Sequence, residues 1–335
     1  MMTAAGLTVS FRSKAVLSDV SFAAEDGRVT GFVGPNGAGK STTIRALLNL
    51  VQPDSGTVLI DGVRFADAAV PMSLAGAVLD AASVHRGRTA RNHLLSLALT
   101  NGISTRRVDE VMDVCGLSSV RSRRVGTFSL GMRQRLSIAA ALLGDPRNLI
   151  LDEPVNGLDP EGIRWVRDLC RHYASLGRAV LLSSHLMGEL AVTADDLVVI
   201  ARGRIIHTST VAMFVAAHSR PCVRISTPDI GAFGAVMESF PRATVERIFW
   251  AEEGSPDCGV FRIRNVGLSE LSRALAEGHV TVHGLVEERA SLESAYLELA
   301  CGCGDFASWG RSCPQETQMW AGPGNREGKR VEKGR

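Results

Sequence analysis

The chain has 335 residues, 45% of them apolar and 21% charged, with a formal net charge of +2. That length holds one large domain, or one domain and a small appendage, of ordinary soluble composition. So small a net charge gives no electrostatic footprint for nucleic acid, and no apolar run approaches the roughly 20 residues needed to cross a bilayer.

The first residues lack the basic flank and apolar core of a signal peptide, so a soluble, cytoplasmic chain is expected. Seven cysteines are scattered without a C-x-x-C pair. The cluster Cys301-Gly302-Cys303 with Cys313 lacks the spacing and fourth ligand of a zinc site, so free thiols are expected.

Gly6-Leu7-Thr8-Val9-Ser10-Phe11 alternates apolar and polar residues as a half-buried strand does, and Ala15-Val16-Leu17-Ser18-Asp19-Val20-Ser21-Phe22 reads as a second. Phe11 is the one aromatic of the first segment: a ring for stacking on a base, or a core residue of an antiparallel sheet. Val29-Thr30-Gly31-Phe32-Val33 then reads as a short buried strand, and Thr43-Ile44-Arg45-Ala46-Leu47-Leu48 as helix. Between them, Gly34-Pro35-Asn36-Gly37-Ala38-Gly39-Lys40-Ser41-Thr42 fits G-x-x-x-x-G-K-[ST] in the strand-to-helix context that pattern requires. Its glycines let the backbone wrap around phosphate oxygens, and the helix start adds unpaired N–H groups. Lys40 is expected to reach the β- and γ-phosphates of a nucleotide, and the Ser41 hydroxyl to ligate Mg²⁺.

Thr57-Val58-Leu59-Ile60-Asp61-Gly62 predicts a strand ending in an Asp-Gly hairpin turn, and Ala75-Gly76-Ala77-Val78-Leu79-Asp80 another strand. Residues 89–143 then change character and read as an inserted helical subdomain. Leu94, Leu95, Leu97, Ala98 and Leu99 predict one helix. Val108, Val111, Met112 and Val114 predict a second, closed by Gly116-Leu117 as a C-cap. Ser129-Leu130-Gly131-Met132 opens a third, with Ser129 as N-cap and a glycine-bearing start that can receive phosphate.

Asn148-Leu149-Ile150-Leu151-Asp152-Glu153 predicts a strand at the centre of a parallel sheet, with two acids at its carboxyl end. Beside a phosphate loop, Asp152 is placed to hold Mg²⁺ through water and Glu153 to orient or deprotonate an attacking water. Gly157-Leu158-Asp159-Pro160 leads into a helix over residues 163–176. Ala179-Val180-Leu181-Leu182-Ser183-Ser184-His185 is a further buried strand; its histidine either bonds a γ-phosphate or is a satisfied structural group. Residues 197–206 read as a closing hairpin.

In this order the motifs resemble one family, the ATP-binding subunits of ABC transporters, over residues 3–210. The stretch from Gly34 through Ser41 resembles its Walker A loop, and the strand ending in Asp152 and Glu153 its Walker B with catalytic glutamate. Gly157-Leu158-Asp159 resembles the D-loop, and Ser184-His185 carries the switch histidine. Phe128-Ser129-Leu130-Gly131-Met132 occupies the signature position, usually Leu-Ser-Gly-Gly-Gln: Ser129 and Gly131 match, and Leu130 replaces the first glycine. Asp80 stands at the Q-loop glutamine; a carboxylate accepts a hydrogen bond or binds Mg²⁺ through water but cannot donate as an amide does.

The resemblance implies an α/β fold: a P-loop NTPase core with an antiparallel β subdomain and the inserted helical subdomain. It implies ATP and Mg²⁺ as ligands, Phe11 stacked on adenine, and hydrolysis by a water activated at Glu153 with His185 nearby. Two copies are expected to pair head to tail, Ser129 and Gly131 of one capping the nucleotide of the other. A separate integral membrane permease is the implied partner, its coupling helices taken by the helical insert and the loop from Asp80 onward, at the cytoplasmic face of the membrane, with no nucleic acid. The segment around Asp80 resembles the exporter branch that includes antibiotic-resistance ATPases, which implies a drug, antibiotic or hydrophobic metabolite as cargo. The rival is a soluble ABC-type ATPase acting on ribosomes or DNA. Such proteins usually carry two cassettes or a long coiled coil, and this chain has one cassette and no long heptad run.

Beyond residue 210, Val223-Arg224-Ile225-Ser226, residues 244–249, Val260-Phe261-Arg262-Ile263 and Val280-Thr281-Val282 predict short strands, and residues 268–276 and 292–300 helices. Residues 211–300 therefore read as a small C-terminal α/β appendage. Residues 301–335, rich in Gly, Ser, Pro and charge, are expected to be a disordered tail.

Overall fold

The computed structural model describes residues 1–12, 14–79, 84–218, 222–247, 258–288 and 291–302. Asp80, Cys303 and the remainder of the expected tail lie outside them. The chain divides into two compact units, Met1–Val215 and Ala216–Gly302.

In the first unit, β1 (Met2–Phe11), β2 (Lys14–Ala24), β3 (Val29–Val33), α1 (Lys40–Leu47) and β4 (Ser55–Ile60) come first. Next are α2 (Pro71–Leu74), β5 (Ala75–Val78), α3 (Ala90–Thr100), α4 (Thr105–Val114) and α5 (Leu130–Leu142). β6 (Asn148–Asp152), α6 (Pro160–Ser175), β7 (Ala179–Ser183), α7 (Met187–Thr193), β8 (Asp196–Ala201) and β9 (Arg204–Thr210) follow, and the boundary between the units falls within α8 (Val211–His218). One sheet is antiparallel, in the order β2-β1-β4; the other runs β5-β6-β7-β3-β8-β9, parallel except for β9.

The apolar runs account for the second sheet. Every residue of β3 and β7 is buried, as strands covered on both faces must be. The alternating β1 and β2 turn one face inward, so Leu7, Val9, Leu17, Val20 and Phe22 share a core with Phe32, Ile150, Leu181 and Val198. The rings of Phe22 and Phe32 stack with centroids 5.1 Å apart, and Ile44 and Leu47 bring α1 into the same core. Strands and helix are thereby fixed around the loop that joins β3 to α1.

α3, α4 and α5 pack on one another. Each starts at a hydroxyl cap: Thr89, Ser104 and Ser129 accept from the N–H of Asn92, Arg107 and Met132 at 3.2, 3.3 and 3.2 Å. A cap of this kind contributes about 1 kcal/mol. Two expectations shift here. Val114 is exposed, because the buried stripe of α4 runs Val108, Val111, Met112 and then Cys115 at i+7; burial pushes the Cys115 thiol up to about 12. Leu99, likewise, lies outside the buried pair Leu94 and Ala98.

The Asp61-Gly62 turn leads into no hairpin. β4 takes β1 as its partner, and beyond the turn only the isolated bridge between Ile60 and Val63 forms. The Asp61 carboxylate instead accepts from the buried amide of Asn148 at 3.0 Å, tying the start of β6 to the end of β4.

In the second unit, β10 (Cys222–Thr227), α9 (Ile230–Met237), β11 (Thr244–Arg247), β12 (Gly259–Arg264), α10 (Leu268–Glu277), β13 (Gly284–Glu288) and α11 (Leu292–Gly302) build an antiparallel sheet in the order β11-β12-β10-β13. Its last strand is not the expected Val280-Thr281-Val282. The Thr281 backbone is bound by side chains, donating to Asp229 at 2.8 Å and accepting from Thr227 at 2.7 Å, so the ladder begins only at Gly284. α9 was absent from the sequence expectation, since its segment Ile230-Gly231-Ala232-Phe233-Gly234 shows no clean apolar period.

Candidate nucleotide site

The loop after β3 is shaped by what its glycines permit. A Cβ on Gly34 would sit 2.2 Å from the Ile200 carbonyl oxygen, so only glycine lets the loop pass β8. Gly39 has φ +114°, a conformation closed to L side chains, and a Cβ there would meet Leu17 at 2.5 Å. Gly37, at φ +81°, faces open space. The outcome is a concave turn with α1 starting from its floor. The N–H groups of Gly37, Gly39, Lys40 and Ser41 have no acceptor among the described residues. Orphaned donors at a helix start fit an anion, and phosphate best.

Lys40 is 6% exposed, and its ammonium donates to the loop's own carbonyls, Gly34 at 2.7 Å and Pro35 at 3.3 Å. Burial lowers its pKa, opposed by the charges of Glu153 and Asp152. Pro35 and Asn36 form the outer rim, Ala38 packs inward, and the Ser41 and Thr42 side chains stand half-buried at the first turn of α1.

β6 delivers the two acids to this loop. Asp152 pairs in register with Ser183 of β7. The Ser183 hydroxyl donates to the Asp152 carboxylate at 2.5 Å and accepts from the Glu153 N–H at 2.9 Å. Glu153 itself turns off the strand at φ +51°, uncommon for a side chain with a Cβ. That turn sets Oε1 3.9 Å from the Lys40 ammonium and Oε2 2.6 Å from His185 Nδ1. With its proton on Nδ1, His185 donates to the carboxylate, and Nε2 remains able to accept. Ser183 was missed as a candidate: in the sequence it is one polar residue at a strand end, and only strand register sets it against Asp152.

Among the described residues no group of three or more His, Cys, Asp or Glu could hold a metal ion. The Ser41 hydroxyl and Asp152 carboxylate alone offer two oxygen ligands. That donor set suits Mg²⁺, which keeps waters and phosphate oxygens around one or two carboxylates.

The structure brings Lys40, Asp152, Glu153 and His185 together, and leaves other candidates apart. Ser129 and Gly131 start α5, with no hydrogen bond or ion pair to the loop or the acids among the described residues. Leu130 and Gly131 lie against the segment after β6. Leu130 overlies Gly157, where a Cβ would come 2.1 Å from Leu130 Cδ2, and a Cβ on Gly131 would meet Leu158 at 3.2 Å. Phe11 ends β1 with 49% of its surface exposed, so it is no core residue.

Residues 17–156 match the family described as ABC transporter. The chain is 33% identical over 302 residues to the ABC transporter ATP-binding protein YcbN of Bacillus subtilis (strain 168), covering 89% of this chain and 96% of that protein. It is 38% identical over 203 residues to the bacitracin transport ATP-binding protein BcrA of Bacillus licheniformis, covering 60% of this chain and 66% of that one. A solved ATP-binding subunit of an ABC transporter superposes with TM-score 0.60 at 28% identity, covering 65% of this chain and 92% of that chain.

Proposed function

Since the chain belongs to the ATP-binding proteins of the ABC transporter family, we propose that it binds and hydrolyses ATP to drive a separate membrane permease. Its cargo on this reading is a drug, antibiotic or hydrophobic metabolite moved outward, which the likeness to a bacitracin transport protein supports. No helix among the described residues is long and apolar enough to cross a membrane, so the pathway itself would belong to the partner.

The convergence on Glu153 carries the reading: one oxygen faces Lys40 at 3.9 Å and the other His185 at 2.6 Å. Gly37, Gly39, Lys40 and Ser41 donate backbone N–H groups to the phosphates, and the Lys40 ammonium exchanges its loop carbonyls for phosphate oxygens. Ser41 and Asp152 would hold Mg²⁺, which when bound would neutralise phosphate charge. A water oxygen attacks the γ-phosphorus, the bond to the β-phosphate oxygen breaks, and the water's proton passes to Glu153. His185 orients the carboxylate through Nδ1, and Ser183 fixes the backbone from which Glu153 projects. Phe11 offers an exposed ring to the base.

Ser129 and Gly131 stand apart from their own chain's loop, which favours a head-to-tail pair of copies, each lending α5's start to the other's nucleotide. Glu153→Gln tests the whole reading. ATP affinity should persist, turnover should fall at least ~100-fold, and ATP should trap a dimer visible by size-exclusion chromatography. Undiminished turnover overturns it.

A further inference from the structure

Beside the segments that carry Glu153 and His185 lies a small pocket that the proposed chemistry does not use. Its volume is about 10 Å³, the room that one water takes. Val155, just beyond Glu153, lines it, as do Leu182 in β7 and Ser184 just past that strand. Glu189 and Thr193 close it from α7, and Arg167 from α6. The pocket thus abuts both halves of the contact between carboxylate and imidazole.

Two polar groups that line this pocket are unmatched, one as an acceptor and one as a donor. Glu189 Oε2 is buried and accepts no hydrogen bond among the described residues. The Ser184 hydroxyl, on a residue 2% exposed, accepts from the Leu186 N–H at 3.0 Å and donates to nothing among them. Buried polar groups cost stability unless they are hydrogen-bonded, and native interiors leave few of them alone. Thr193 is equally buried and brings a third polar side chain to the same pocket. One water satisfies the set: it donates to Glu189 Oε2, accepts from the Ser184 hydroxyl, and keeps a second hydrogen for Thr193.

We propose that a water bound between Glu189 and Ser184 makes Glu189 a positioning residue for His185. The proposal rests on the reading of Glu153 and His185 as the hydrolytic pair. Ser184 directly precedes His185, and its hydroxyl bonds the N–H that directly follows it, so the bond spans the turn on which the imidazole is mounted. A hydroxyl held by the water from its other side cannot swing away from Leu186. The turn then keeps His185 Nδ1 at 2.6 Å from Glu153 Oε2. Glu189 acts through that turn alone, since it makes no hydrogen bond to the phosphate loop or the two acids among the described residues. An ion pair with Arg167, on the α6 wall, is the competing role. That role needs the negative charge of Glu189, whereas a bridge through water needs only an accepting oxygen.

The test measures steady-state ATP turnover of the full chain, with hydrogen exchange at the Leu186 amide followed in parallel by NMR. Glu189→Gln keeps an oxygen that accepts from the water, so kcat and exchange should stay within about two-fold of wild type. Glu189→Leu keeps the size and drops the acceptor. Its kcat should fall about 10-fold with KM for ATP unchanged, and the Leu186 amide should exchange about 10-fold faster. Ser184→Ala should match that fall in kcat, and the double variant should be no slower than either single one. Equal effects of Glu189→Gln and Glu189→Leu overturn the proposal, since charge or packing then matters and the bridge does not. So does a double variant about 100-fold slower than wild type, or a rise in KM with kcat intact. Should Glu189→Leu not fold, Glu189→Met takes its place with the same expectations. A wild-type chain without ATP turnover would count against the proposed function instead. The bridge would still be decided at Leu186, where an exchange rate unchanged by Glu189→Leu overturns it.

Discussion

Two groups of candidate residues in the first unit are held in different ways. Asp152, Glu153 and His185 sit at the carboxyl ends of β6 and β7 or in the loops that follow, and Lys40 opens α1 at the end of the loop after β3. They are cross-linked: Lys40 to its loop carbonyls, Asp152 and Glu153 to Ser183, Glu153 to His185. Ser129, Gly131 and Phe11 have no such mutual ties. Ser129 caps its own helix, and Phe11 stands half in solvent. On the proposed reading the first group, preorganised by a buried sheet, takes phosphate within one chain. The second offers surfaces that gain a use only against something added. Disturbing the first should therefore remove binding or chemistry outright, and disturbing the second should change affinity or assembly by smaller factors.

Lys40→Ala is the largest expected effect. A nine-tenths-buried ammonium aimed at the loop has no substitute nearby, so ATP affinity should fall about 100-fold, the ~3 kcal/mol of a charge-assisted contact. Calorimetric titration with ATP measures it. Affinity within a factor of two of wild type would break the idea that the strand-end group is the phosphate site.

Ser183→Ala comes next, and asks whether the cross-links matter beyond the groups they join. Losing one hydroxyl removes the hydrogen bonds at 2.5 Å to Asp152 and 2.9 Å from Glu153. Turnover should drop about 10-fold, as for one charged hydrogen bond of ~1.5 kcal/mol, while ATP affinity changes little. A fall in affinity with turnover intact would show that Ser183 serves the fold alone.

The contrast between the groups also explains what could be read from the sequence. β3, β6 and β7 were legible because burial on both faces demands unbroken apolar runs, and the loop after β3 because its glycines and lysine fall at fixed spacing. Strand ends then follow from the runs, which is why Asp152 and Glu153 could be set beside the phosphate loop in advance; the run of β7 left His185 open between a phosphate contact and a structural group, and only the family resemblance chose the first. Ser183 was not legible, since register between β6 and β7 is a tertiary fact. The same holds for the overlay of Leu130 on Gly157, joining segments far apart in sequence. Asp61-Gly62 misled because a turn signal does not choose a strand's partner; β1 won that pairing. Val280-Thr281-Val282 misled because Thr227 and Asp229 take the backbone groups a ladder would need.

Gly157→Ala probes the second group with a smaller effect. Its Cβ would lie 2.1 Å from Leu130 Cδ2, and φ is +73°. The turn strain and the clash together should cost about 2 kcal/mol of stability. Adding Leu130→Ala should return about half, ~1 kcal/mol, because it removes the clash and leaves the strain. Thermal unfolding of the two single variants and the double measures the coupling. Strict additivity would mean that Leu130 does not rest on this loop.

Phe11→Ala is the smallest effect and the sharpest check on the division itself. The ring ends β1, 49% exposed, and makes no ring contact with another aromatic among the described residues. Its removal should therefore cost the fold little. If the ring stacks on the base, the lost contact is about 1 kcal/mol. KM for ATP should rise roughly 5-fold, and kcat should hold, because no group at Lys40 or Glu153 moves. The same rise should vanish when inorganic tripolyphosphate, which has no base, competes in place of ATP: its inhibition constant should be equal in the two proteins. A lower kcat with unchanged KM would place Phe11 with the strand-end group, and the separation between preorganised and added surfaces would fail at that residue.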